Sequence, residues 1–181
     1  MSTTEYEVLT DWIDAEFTGK ERVDKKIAKV VIFDATESGD DDLLDNDEGQ
    51  HIPWEKTADS VRKQDPVLQQ TTLDAFRKVN VQQAMVARFL RPAIDYEIVS
   101  SSQVESIFCK GCGNWDEYYK RFPNSNGILT FSRVGFSADS MQAFFYLSNR
   151  CGGLCGGGRY VVMEKHNGRW AVQNEIEMWI S

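Results

Sequence analysis

No stretch of this chain is apolar for anything like the ~20 residues that cross a bilayer as a helix. Runs such as Val30-Val31-Ile32-Phe33 are the rule. The opening residues, Met1-Ser2-Thr3-Thr4-Glu5-Tyr6-Glu7, carry neither the basic nor the apolar part of a secretory signal. The expectation is therefore a cytoplasmic protein without a membrane partner. Histidine is scarce: His51 and His166 are the only two. They form no HExxH zinc motif, and no Gly-x-Ser-x-Gly elbow exists either. Basic residues are in the minority, 20 against 28 acids, for a net charge of −8. Nucleic-acid binding needs clustered Lys and Arg. The one cluster, Lys20, Arg22, Lys25, Lys26 and Lys29, is diluted by Glu21 and Asp24, which argues against a nucleic-acid partner and leaves a protein or a small ligand. No internal repeat is visible.

What is present suffices for a globular core. Hydrophobic residues make up 41% of the 181 positions and aromatics 12%, so the chain reads as one domain, 1–181. The charge is localised. Asp34 to Glu48 holds eight acids and no base, so the remaining 20 acids balance the 20 bases. The span 34–50 is expected to be an acidic loop, with 36–49 exposed because its charges repel and have no internal base. Its acids and Gly49 do not fit calcium-loop spacing, but any cation held there would be calcium rather than zinc.

Apolar residues at Tyr6, Leu9, Ile13 and Phe17 predict a helix over 4–17. Residues 27–33 read as a strand, 55–64 and 71–79 as helices split by Asp65-Pro66, 81–90 as a third helix and 94–99 as a strand. Ser101 or Ser102 can cap a short helix to Phe108, and Asn114 another that stops at Pro123. The last third, 128–180, predicts a four-stranded antiparallel meander over 128–136, 141–150, 159–166 and 169–180. Asn167-Gly168 is a strong hairpin signal. A two-residue turn there pairs 165 with 170, 163 with 172 and 161 with 174, and puts Trp170, Val172 and Ile176 on one buried face. The preceding hairpin places Val134, Ala143, Phe145 and Leu147 on one face and Phe131, Phe144 and Tyr146 on the other, so both faces need cover or the sheet curves around a cavity. The predicted fold is α+β, N-terminal helices on a mainly antiparallel, curved sheet.

Trp115 with Tyr118-Tyr119, Phe122-Pro123, Gly127, Phe131-Ser132-Arg133-Val134-Gly135-Phe136, Cys151-Gly152-Gly153-Leu154-Cys155-Gly156 and the ending Trp179-Ile180-Ser181 form a distinctive set. On these residues the chain resembles a family of small, uncharacterised bacterial proteins. Val31-Ile32-Phe33-Asp34 and Thr72-Leu73-Asp74-Ala75-Phe76 with Asn80 are more loosely similar to it. The resemblance implies no reaction. The architecture also looks like the cystatin or nuclear-transport-factor-like fold, an analogy at the level of fold alone.

Two constellations could carry chemistry. Cys109-x2-Cys112 and Cys151-x3-Cys155 could together supply four thiolates to a tetrahedral zinc; they could equally be paired in disulfides or stay free thiols. Without a leader, cysteines read as reduced. About 36 Å of extended strand argues against a direct Cys155–His166 dyad. The glycines at 152, 153 and 156–158 lack the strand-before, helix-after context of a phosphate loop. The second constellation is a pocket of Ser132, Arg133, Tyr146 and Asn174 on the curved sheet. Arg133, set between apolar residues, is either paired to a carboxylate or open to a cavity. The functional expectation is a non-catalytic binding or interaction module with no cofactor. The alternatives are an enzyme, if those four residues converge in a polar cavity, or a structural zinc domain.

Overall fold

A computed structural model describes residues 1–18, 27–38, 53–108 and 114–181. Five helices and seven strands occur among them: α1 (Thr3–Thr18), β1 (Lys29–Phe33), α2 (Trp54–Gln64), α3 (Gln70–Val79), β2 (Asp95–Val99), α4 (Ser101–Phe108), α5 (Trp115–Arg121), β3 (Ser125–Phe131), β4 (Gly135–Phe136), β5 (Gln142–Gly152), β6 (Cys155–His166) and β7 (Arg169–Ile180). No helix among them is long and apolar enough to cross a membrane.

Local chemistry sets the helix starts. The Ser2 amide donates to the Glu5 carboxylate at 2.5 Å and the Glu5 amide to Ser2 Oγ at 3.2 Å, a reciprocal capping box on α1. Ser100 and Gln103 form the same exchange at α4, at 2.9 and 3.3 Å, one residue earlier than expected. Asn114 caps α5 through its Oδ1, which accepts from the amides of Asp116 and Glu117.

The strands form one sheet in the order β2-β1-β3-β5-β6-β7, with β4 also paired to β5. The pairs β1–β2 and β1–β3 are parallel, and the rest are antiparallel. The fold is therefore α+β, and the meander β3-β5-β6-β7 is its larger part.

Both faces are covered. On one, Val30, Ile32, Leu129, Phe131, Ala143, Phe145, Val161 and Met163 pack with Leu9, Trp12 and Ile13 of α1. On the other there are two separate cores. Phe144, Tyr146, Tyr160, Val162 and Ile176 pack with α2 and α3 through Trp54, Val61, Leu73 and Phe76. Val31, Val99 and Ile128 pack with Ile107 of α4, Tyr118 of α5 and Phe122 just after it. Helix α3 rides directly on β4: a Cβ at Gly135 would collide with the Phe76 backbone.

Four expectations need correcting. The hairpin register holds for Lys165–Trp170 and Met163–Val172, but Val162 then pairs with Asn174 and Val161 with Glu175. One step on β6 spans two on β7, so Gln173 is a bulge residue that turns β7 over as far as Glu177, where a second shift between Arg159 and Gly158 turns it back. Trp170 therefore joins the α1 core, Ile176 joins the α2/α3 core, and Val172 is 38% exposed. Phe131 lies on the Phe145 face, not with Phe144 and Tyr146, because the chain breaks from the ladder between β3 and β4. Residues 81–90 are not helical. Their backbone pairs with the chain after β1: the Thr36 amide donates to Ala84 O and the Val86 amide to Asp34 O, at 2.9 and 2.7 Å, with an Ala35–Met85 bridge. Sheet-like pairing and burial of Val86 and Leu90 outweigh helix propensity there. The same pairing buries Thr36 and half-buries Glu37 and Ser38, so the start of the acidic span is not exposed. Its positions 39–50 lie outside the described residues.

Candidate functional site

The four residues expected to share a pocket are each tied into the fold. Ser132 Oγ donates to Arg133 O and accepts from the Tyr146 amide, at 2.9 and 2.8 Å, bridging the break after β3. Arg133 reaches the opposite way, its Nε and Nη2 each 3.1 Å from the carboxylate of Glu5. Of the two expectations for this arginine, pairing is the one realised. Burial resists ionisation of Glu5, but Arg133 and the amides of Ser2 and Val134 outweigh it and hold the carboxyl below its ordinary range. Tyr146 accepts from Trp179 Nε1 at 2.7 Å across Gly158, and burial pushes its phenol pKa up. Asn174 Nδ2 donates to Asp65 Oδ2 at 3.3 Å, fastening the end of α2 to β7. These residues do not converge.

Cys151 and Cys155 are joined by a disulfide with Cα atoms 5.0 Å apart, closing the β5–β6 turn beneath Leu154. As a disulfide they are not thiolates. Cys109 and Cys112 lie outside the described residues. Among those described, no group of three or more His, Cys, Asp or Glu side chains is placed to hold a metal.

Among the described residues, two of the open cavities are deep enough to weigh as ligand sites. A groove of about 650 Å³ runs between α1 and the β6–β7 turn, past Tyr6, Glu7, Asp14, Phe89 and Trp170. Two of its three carboxylates are used structurally. Asp11 accepts from the Trp170 amide at 2.8 Å and pairs with Arg169 at 3.0 Å; Asp14 accepts from the Ala93 amide at 2.7 Å.

The second, of about 580 Å³, is the better candidate. It opens where the α2/α3 cover ends and the α4/α5 cover begins. Phe33, Ile128, Thr130 and Arg150 of β1, β3 and β5 form its floor; Val104, Phe108 and Trp115 form one wall, and Thr36, Glu37 and Gln83 the other. The sheet puts these residues in rows, with Ile128 opposite Arg150 and Thr130 opposite Ser148. Ser148 donates its hydroxyl to Glu37, and the Glu37 amide donates to Phe131 O at 2.9 Å, which fixes the polar wall. The aromatic wall is fixed by an edge-on Phe108–Trp115 contact at 4.9 Å and by Tyr119, whose hydroxyl donates to Cys151 O at 2.9 Å. Phe33, Phe108 and Trp115 are only partly buried, so ring surface remains toward the cleft.

Sequence reasoning passed over this site, although a signal exists. Along one face of β5 the residues run Phe144, Tyr146, Ser148, Arg150, and along β3 Ile128 is followed by Thr130. An apolar face that turns polar in mid-strand marks where helical cover stops.

No family model, curated protein or solved structure matches the chain. The resemblance carried by residues such as Phe131–Phe136 and Cys151–Gly156 thus rests on those residues alone.

Proposed function

We propose that the protein is a non-catalytic binding module that takes a small organic ligand in the cleft over β1, β3 and β5. The observation that carries this is the strip of sheet that the described residues leave uncovered between two helix pairs. It is walled by aromatic and aliphatic side chains with a few polar groups, and its size lies inside the roughly 300–1,000 Å³ usual for ligand sites. Binding is favoured over catalysis because Ser132, Arg133, Tyr146 and Asn174 serve structural contacts instead of meeting at a reacting centre. The Cys151–Cys155 disulfide suits an oxidising compartment or, in the cytosol, redox chemistry.

A fluorescence titration with the neutral dye Nile red tests the reading. Gln83 is exposed at the mouth of the cleft, so Gln83→Trp should obstruct it without disturbing the core. Val104→Trp should fill it from α4. Both variants are expected to weaken dye binding at least fivefold while retaining the native circular dichroism spectrum. Dye binding unchanged in folded Gln83→Trp and Val104→Trp would refute the assignment.

A further inference from the structure

We propose that the cleft is built for a planar aromatic monocarboxylate, its ring against Phe108 and Trp115 and its carboxylate on Arg150. The inference rests on the cleft being the binding site and adds the chemical class of its ligand.

Three observations support it. The first is the ring surface. Phe33, Phe108 and Trp115 are each left partly buried at the boundary of the α4/α5 core. Offset or edge-on contact with a flat ring is favoured over contact with a flexible aliphatic chain, which loses more rotational freedom on binding.

The second is Arg150. It is exposed and lies beside Ile128 on the cleft floor. Its side chain has no hydrogen-bond or ion-pair partner among the described residues, whereas Arg133 and Arg159 on the other face are both paired. Its charge is nevertheless felt within the fold, favouring the ionised form of Tyr146. A planar guanidinium presents parallel donors that match a carboxylate in two-point contact.

The third is Glu37 on the facing wall. Among the described lining residues it is the one carboxylate and Arg150 the one guanidinium, so the lining offers a single cation to match a single negative charge on the ligand. A second would face Glu37 and be repelled.

Isothermal titration calorimetry on the full chain, with 1-naphthoate, 1-naphthamide and 1,4-naphthalenedicarboxylate as probes, separates the terms. Naphthoate is expected to bind at least tenfold more tightly than the isosteric neutral amide. Arg150→Met should abolish that advantage while leaving the amide within twofold, and Arg150→Lys should recover part of it. The dicarboxylate should bind at least threefold more weakly than naphthoate. Gln83→Trp should weaken naphthoate and naphthamide alike. Equal affinity for acid and amide, both still blocked by Gln83→Trp, would overturn the ligand class and leave the cleft assignment standing. An acid preference that survives Arg150→Met would overturn the role of Arg150. Binding of neither naphthoate nor naphthamide would overturn the ligand class, while Nile red binding sensitive to Gln83→Trp would still uphold the cleft.

Discussion

Removing the charge of Glu5 should be among the most damaging single changes in the protein. Its side chain is 2% exposed and accepts four hydrogen bonds: the Ser2 amide at 2.5 Å, Arg133 Nε and Nη2 at 3.1 Å each, and the Val134 amide at 3.2 Å. One carboxylate thus closes the α1 capping box and ties α1 to the link between β3 and β4. Glu5→Gln keeps the shape but loses the charge and one acceptor oxygen. A hydrogen bond to a charged group contributes about 1.5–3 kcal/mol, and stranding one partner of a buried pair costs about 3–5 kcal/mol. Arg133 is 29% exposed, so water compensates part of that loss. The expected cost at pH 7 is about 2–3 kcal/mol, read by urea denaturation. The pH dependence has a definite sign. The carboxyl titrates lower in the folded than in the unfolded chain, so its stabilisation is complete above the unfolded value of about 4.3 and is lost as pH falls through the folded value. The gap between wild type and Glu5→Gln should therefore be full at pH 6–7 and narrow below about pH 4. A variant within about 0.5 kcal/mol of wild type at pH 7, or a gap that stays constant down to pH 3, would refute the reasoning.

Gly158→Ala should cost about 1–3 kcal/mol by overpacking, because its Cβ would strike both Trp179 Nε1 and Tyr146 Oη; differential scanning calorimetry reads the loss, and an unchanged midpoint would contradict the contact. Gly135→Ala should be destabilising by a similar mechanism, since no room exists between β4 and the Phe76 backbone. Burial raises the phenol pKa of Tyr118, Tyr146 and Tyr160, so spectrophotometric titration should show these three of six tyrosines ionising only on unfolding, with stability falling as pH rises above about 10. Cys155→Ser should lower unfolding free energy by about 2 kcal/mol through the lost short-loop constraint, measured in urea without reductant; no change would mean that the disulfide does not form in solution.

The sequence was most readable where one physical rule acted alone. Hydrophobic spacing and Asp65-Pro66 located α1, α2 and α3, and Asn167-Gly168 located the β6–β7 turn. Reading failed where tertiary contacts chose between local options. An inserted Gln173 is invisible to an alternating pattern, yet it moves Ile176 to the other face from Trp170. Residues 81–90 carry helical spacing, but Asp34 and Thr36 offer their backbones to them instead. The expected pocket failed for a related reason. Arg133, Tyr146 and Asn174 look available until their distant partners Glu5, Trp179 and Asp65 are seen. The cleft depends on where two helix pairs stop short of each other, which only the polar turn of β5 at Ser148 and Arg150 foreshadows.

Chemical-shift mapping with 1-naphthoate on uniformly ¹⁵N-labelled protein tests the central claim most directly. The largest perturbations should fall on the amides of Thr36, Glu37, Gln83, Thr130 and Arg150 and on the indole of Trp115, the residues that enclose the cleft. Perturbations centred instead on Glu7, Asp11, Arg169 and Trp170 would place binding in the groove beside α1 and contradict the account.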